Sequence, residues 1–356
     1  MYKHCKDEKE ADAIAWAFVN SKKMVRFPFK FPALGPNEIR ANVLYAGLCH
    51  SDCMTVRGLW GPAPYPIAPG HEMICEVSQV GSEVKDFKKG DLVGFERDCC
   101  EKCKWCQRGE EEVWPNVQDK GTYGKYWGGY STAVQQPAKF FFHLPEKFDL
   151  KRGPPLFCAG ITTFYPMKKF LKEGMSTAVV GVGGLGHLAI QFLHKLGHKV
   201  TAFTTSKDKI PLIKELGGDD VIISTDKEQM KSAQGKFDFV INTLPTFNNV
   251  DDYINTVALC GYYVQVGAGP ITEANVTFNI FSIIMKEVKV VGSIVGPRQV
   301  INDMVKICVE KEIYPMIEEY SFEDFPKAYD RLENGRPKFR CVVNVKDFAE
   351  KNGFKK

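Results

Sequence analysis

Between residues 175 and 296 short apolar runs alternate with segments whose apolar positions recur every three or four residues. The runs fall at 177–182, 199–203, 221–223, 237–243, 262–266 and 288–291. This rhythm predicts a parallel sheet wrapped by helices, a doubly wound α/β domain. The first run leads into Gly181-Val182-Gly183-Gly184-Leu185-Gly186 and then into a helix with Leu185, Leu188, Ala189, Phe192, Leu193 and Leu196 on one face, which Gly197 is placed to stop. Earlier in the chain, 73–77 and 92–95 are short apolar runs separated by turn residues such as Lys89-Gly90-Asp91, the pattern of a β-rich domain. The Gly- and Pro-rich stretch 58–70 reads as a long loop whose Trp60 and Tyr65 either line a pocket or belong to the core. At 356 residues two domains are expected, since single cores stop growing at roughly 250–300 residues. The expected division is a β-rich domain from 1–157 and 297–356 around a nucleotide-binding domain at 158–296.

Composition changes this picture little. The chain is 44% hydrophobic and 25% charged, with a formal charge of +4 spread along its length, so nucleic-acid binding gains no support. No apolar run reaches the ~18 residues of a membrane span, and a cytoplasmic protein without a membrane partner is expected. Twelve cysteines, four of them between Cys99 and Cys106, then argue for metal ligation rather than a disulfide framework.

Three separated stretches, Cys49-His50-Ser51-Asp52, Gly70-His71-Glu72 and Cys158-Ala159-Gly160, carry two thiols and one imidazole. That is the ligand number of an open catalytic zinc site, whose fourth position is left to water or substrate. Any one of these residues taken alone is as well explained by burial. Asp52 is a candidate to orient the ligand histidine, and Glu72 to order the metal's surroundings. Cys100, Cys103 and Cys106 have the spacing of a structural zinc knuckle, but three ligands do not close one. A fourth would have to come from Cys99 or from Glu110, Glu111 or Glu112.

The glycine motif between a strand and a helix is the Rossmann signature, in which the turn admits a pyrophosphate to the helix N-terminus. NAD sites usually place a carboxylate about 20 residues further on. Here Thr204-Thr205-Ser206-Lys207-Asp208-Lys209 follows the second strand. Hydroxyls and lysines suit the 2′-phosphate of NADP(H), although Thr205 or Ser206 could equally cap the next helix.

Taken in order, these motifs, with Cys158-Ala159-Gly160-Ile161-Thr162 and Gly292-Ser293-Ile294, resemble the zinc-dependent medium-chain alcohol dehydrogenases, in their cinnamyl-alcohol-dehydrogenase-like branch. The resemblance implies a GroES-like catalytic domain beside the Rossmann domain, and a homodimer built through the latter. It implies catalytic zinc on Cys49, His71 and Cys158, with Glu72 as an alternative ligand. Ser51 would stand next to the substrate oxygen and the cofactor. Further cofactor contacts are implied from Thr162, Gly181 to Gly186, Thr204, Thr205, Ser206, Lys209, Thr243, Gly267, Ser293, Ile294 and Val295. The expected reaction is hydride transfer between NADP(H) and a small-molecule aldehyde or primary alcohol, with Trp60, Tyr123 and Phe281 as candidates for the substrate pocket. Two positions depart from the family pattern: Trp114 replaces the fourth lobe cysteine, and Met54 replaces a histidine that passes the proton on. Rival expectations are a zinc-free quinone or enoyl reductase and a non-catalytic NADPH-binding redox sensor.

Overall fold

A computed structural model of the chain describes residues 2–95, 99–113, 127–334 and 337–354. Two units separate within it, one formed by Met1–Cys158, Pro297–Val309 and Tyr314–Lys356, the other by Ala159–Gly296 and Glu310–Ile313. After a two-residue strand at Lys3–His4, the first unit continues with β1 (Ala13–Phe18), β2 (Met24–Lys30) and the long β3 (Glu38–Leu48). After β3 come a two-turn helix α1 (His50–Val56), β4 (Glu72–Val80), β5 (Leu92–Phe95), β6 (Ala133–Pro137) and β7 (Phe141–His143). Residues 58–70 are irregular, as expected for a stretch so rich in glycine and proline. Tyr65 packs against the core there and its hydroxyl donates to the Val56 carbonyl, so it is a structural residue.

The second unit opens with helix α2 (Ala159–Phe170) and continues with β8 (Thr177–Val180), α3 (Gly186–Lys195), β9 (Val200–Thr204), β10 (Asp220–Ile223), β11 (Phe237–Asn242), β12 (Val257–Gln265) and β13 (Lys289–Gly292). All pairings are parallel, in the order β10-β9-β8-β11-β12-β13. Numbered within the unit this is 3-2-1-4-5-6, the doubly wound order that places a dinucleotide at the strands' carboxyl ends. Leu188, Ala189, Phe192 and Leu193 of α3 are fully buried, and Gly197 ends the helix with φ +88°. Strand β12 begins five residues earlier than the apolar run 262–266 suggests, because Ala258, Leu259 and Cys260 are partly or fully exposed and interrupt the pattern.

The chain's last strands, β14 (Ile317–Ser321) and β15 (Arg340–Asn344), with helix α4 (Phe325–Asn334) between them, belong to the first unit. Its larger sheet runs β14-β15-β3-β4-β5-β7, with β6 also paired to β3, and only β14 and β15 are parallel. Register places Gly47 of β3 opposite both Glu72 and Val342. The ends of β3, β4 and β15 therefore meet where Cys49 leaves the sheet.

An aromatic cluster closes this core. Phe325 is fully buried and its ring lies 4.6 Å from that of Tyr130 and 6.2 Å from those of Trp16 and Tyr329. Truncating a buried Phe removes its transfer free energy and leaves a cavity. Phe325→Ala should cost about 3–5 kcal/mol in a urea titration of the first unit; a loss below about 1 kcal/mol would contradict this packing.

Candidate metal centre and dinucleotide site

The carboxyl end of β3, Ala46-Gly47-Leu48, is apolar and buried, and Cys49 follows as the N-cap of α1. Its Sγ accepts from Ser51 N at 3.5 Å while Asp52 accepts from Cys49 N at 3.3 Å, a capping box built from a thiol and a carboxylate. The thiol is thereby held by the start of a helix. Ser51 Oγ accepts from Cys49 Sγ at 3.4 Å.

Asp52 is fully buried and serves a second purpose. Besides Cys49 N it accepts from Gly70 N at 3.3 Å, from the Tyr130 hydroxyl at 2.7 Å and from His71 Nδ1 at 3.0 Å. A buried carboxylate opposite Nδ1 assigns the histidine proton to that nitrogen and leaves the Nε2 lone pair available to a metal. Gly70 has φ +107°, and a Cβ there would lie 2.6 Å from the Tyr130 ring. Only glycine lets Tyr130 approach this closely.

Cys158 follows the turn Pro154–Phe157, and its Sγ lies 3.8 Å from that of Cys49. Cys49, His71, Glu72 and Cys158 each offer a donor atom within 4.8 Å of the others. Two sulfurs bound at about 2.3 Å to one tetrahedral ion stand about 3.8 Å apart, so the sulfur pair fits zinc. The electrostatics agree. The hydrogen bond with Cys158 pulls the Cys49 thiol well down against its burial, and the same bond pushes Cys158 up. Burial disfavours a charged His71, yet Asp52 and the Cys49 sulfur outweigh it and hold its pKa high. This pocket of anions favours a cation.

Glu72, at the start of β4, is also fully buried, and burial raises its pKa to about 7 despite the neighbouring guanidinium. Its Oε1 pairs with Nη2 of Arg340, while Oε2 has no hydrogen-bond partner among the described residues. A Cβ on Gly47 would fall 2.2 Å from that Oε2, so glycine on the strand opposite makes room for the Glu72 side chain as it lies. Arg340, only 4% exposed, balances Glu72 and leaves the two thiolates to a divalent ion. Sequence reasoning missed Arg340 and Tyr130. No spacing connects Arg340 to Glu72, 268 residues away, and a Gly-Gly-Tyr triplet is no sign of a metal site.

In the second unit each glycine of the motif has its own cause. Gly181 turns with φ +86°, Gly183 has nothing within 4 Å of where a Cβ would be, and a Cβ on Gly186 would lie 1.9 Å from Gly181 O. These are a tight turn, an open approach for a ligand and a close helix contact. Val182 is buried, and Lys209 Nζ donates to its carbonyl at 2.9 Å, so the lysine lies on the glycine turn. Thr204 is buried and accepts from Ser206 N at 3.2 Å; Thr205 is exposed. Ser206 occupies an N-cap position without a side-chain capping bond, which leaves its hydroxyl uncommitted to the helix.

Thr243 donates to Val180 O at 2.9 Å, Gly267 packs on Leu244 O, and Ser293 donates to Ile294 O at 3.2 Å. Thr162 is buried in α2, and Gly184, Leu185 and Val295 are half-buried or exposed around the turn and the strand end. Ile294 is 44% exposed and Phe281 65% exposed. Trp60 is half-buried in the irregular stretch; Tyr123 and Trp114 lie outside the described residues.

Residues 35–146 match the family model described as an alcohol dehydrogenase GroES-like domain, and residues 184–310 the one described as a zinc-binding dehydrogenase. The aldehyde reductase AdhA of Synechocystis is 36% identical over 90% of this chain and 95% of its own length. The chain belongs to the zinc-dependent medium-chain alcohol dehydrogenases, in the cinnamyl-alcohol-dehydrogenase-like branch. A probable cinnamyl alcohol dehydrogenase of Arabidopsis thaliana is 34% identical, with 95% of each chain covered. Among solved structures, a cinnamyl alcohol dehydrogenase of Sorghum bicolor superposes with a TM-score of 0.86 at 30% identity, covering 94% of this chain and 97% of that one. The Helicobacter pylori enzyme complexed with NADP(H) gives 0.83 at 28%, covering 97% and 99%. The GroES-like and Rossmann units expected from the sequence are those of this dehydrogenase family.

If Asp52 fixes His71 for a metal, Asp52→Asn should weaken zinc binding about 10–100-fold in a chelator-competition titration, the usual cost of losing such a partner. Unchanged zinc affinity would show that Asp52 serves packing alone.

Proposed function

We propose that this dehydrogenase reversibly reduces small-molecule aldehydes to primary alcohols with NADP(H) and one catalytic zinc. The observation that carries the reading is the buried set Cys49, His71 and Cys158, with His71 oriented by Asp52. Zinc held there supplies Lewis acidity to the substrate oxygen, and the nicotinamide supplies or accepts the hydride.

The remaining roles belong to the chain. Asp52 keeps the His71 proton on Nδ1, and the capping box keeps Cys49 in place. Ser51, with its hydroxyl 3.4 Å from Cys49 Sγ, moves the proton to and from the substrate oxygen. Glu72, paired with Arg340, is the reserve ligand at the resting site. Lys209, Thr204, Thr205 and Ser206 receive the 2′-phosphate, and no carboxylate stands at position 204 to repel it. Met54, half-buried in α1, takes no part in proton transfer, so the proton leaves through water or the cofactor ribose.

A zinc-free quinone or enoyl reductase would have no use for this donor set, and a non-catalytic NADPH-binding sensor would have no use for Ser51 beside it. We further place the enzyme in the cytoplasm, in keeping with twelve free cysteines. No helix of the described residues is long and apolar enough to cross a membrane. A homodimer through the second unit is supported by its exposed Leu259, Ile271, Phe281, Ile284, Met285 and Val290. Its exposure of 65% suits Phe281 to an interface better than to the substrate pocket first expected for it.

Steady-state assays with aliphatic and aromatic aldehydes should give a higher kcat/KM with NADPH than with NADH, and Lys209→Glu should reverse or erase that preference. Cys158→Ser should abolish turnover and the bound zinc together. Preference for NADH, or turnover retained without metal, would overturn the proposal.

A further inference from the structure

The lobe around residues 99–113 does not match the metal expected of it. Cys100, Cys103 and Cys106 do gather, with Sγ separations of 3.7 Å for Cys100–Cys106 and 3.6 Å for Cys103–Cys106. That spacing would suit one face of a tetrahedral metal, but a structural zinc is closed by four protein ligands. Among the described residues the group stops at three. Cys99 is buried away from it, Glu110 pairs with Arg108, and Glu111 accepts from the Arg298 amide at 2.8 Å. Glu112 is buried and also outside the group. The position where the family carries a fourth cysteine is Trp114.

We propose that Cys100, Cys103 and Cys106 are a thiol–disulfide exchange site, oxidised by small-molecule disulfides. The three sulfurs are half-buried and within reach of such a reagent, unlike Cys49 behind its cap. The amide of Cys103 donates to Cys100 Sγ at 3.3 Å, which stabilises a thiolate there and marks Cys100 as the attacking sulfur. Lys104, next in the chain to Cys103, lies over the Trp105 ring 4.8 Å from its centre and offers a positive charge to an anionic disulfide. Cys106 touches both other sulfurs and is the resolving thiol.

The Cys100 thiolate attacks one sulfur of RSSR, forming a mixed disulfide and expelling one thiolate. Cys106 then gives up its proton and attacks the Cys100 sulfur, forming the internal disulfide and expelling the second. Two protein thiols lose two electrons, and RSSR becomes two RSH. Cys103 remains a free thiol next to the new bond and lets it exchange.

The test uses the full-length, zinc-loaded enzyme incubated in glutathione buffers of rising oxidised fraction, then acid-quenched, alkylated and mapped by mass spectrometry. Expected is a Cys100–Cys106 disulfide reversed by dithiothreitol, with Cys103 still alkylated. Cys106→Ser should stop at a glutathione adduct on Cys100, whereas Cys260→Ser, which removes an exposed thiol elsewhere, should change nothing. Three sulfurs that stay alkylatable throughout, a glutathione adduct in the unaltered chain that never closes, or a second zinc per chain protecting all three would each overturn the proposal.

Discussion

The first unit's site depends on one buried carboxylate. Asp52 has no contact with water, and an uncompensated charge there would cost several kcal/mol. Four donors remove that cost: the amides of Cys49 and Gly70, the Tyr130 hydroxyl and the His71 ring. They come from three separate stretches of chain, so satisfying one carboxylate also draws together the start of α1, the turn before β4 and the segment before β6. Two of the ligands, Cys49 and His71, are positioned by the same atoms that neutralise Asp52. Gly70 follows from this arrangement, since any side chain there would strike Tyr130.

A second buried pair sets the charge. Arg340 faces Glu72, so the guanidinium is engaged by that carboxylate, and Cys49 and Cys158 remain available to a cation. Gly47 makes room for the Glu72 side chain, and the register of β3 against β4 and β15 brings the three residues to the same end of the sheet. The second unit supplies the dinucleotide fold: its three motif glycines give a turn, an opening and a contact, and the Lys209 side chain is held against that turn.

Much of this was legible in the amino-acid order. The parallel strands of the second unit announce themselves because strands buried on both faces are continuous apolar runs, and the glycine turn because its spacing has a mechanical meaning. The trio Cys49, His71 and Cys158 was visible through the residues beside it. Arg340 and Tyr130 were hidden, because their partners are brought to them only by sheet register and by a left-handed glycine. The start of β12 was blurred by exposed residues at its edge. In the cysteine lobe the spacing pointed to a metal, and the fold gathers Cys100, Cys103 and Cys106 into one group of three donors among the described residues.

The central claim is a zinc bound by two sulfurs and one imidazole. X-ray absorption at the zinc edge of the purified enzyme reads that ligand set directly. The account predicts two Zn–S distances of about 2.3 Å with the remaining ligands nitrogen or oxygen at about 2.0–2.1 Å. A shell of three or four sulfurs, or one of nitrogen and oxygen alone, would contradict it.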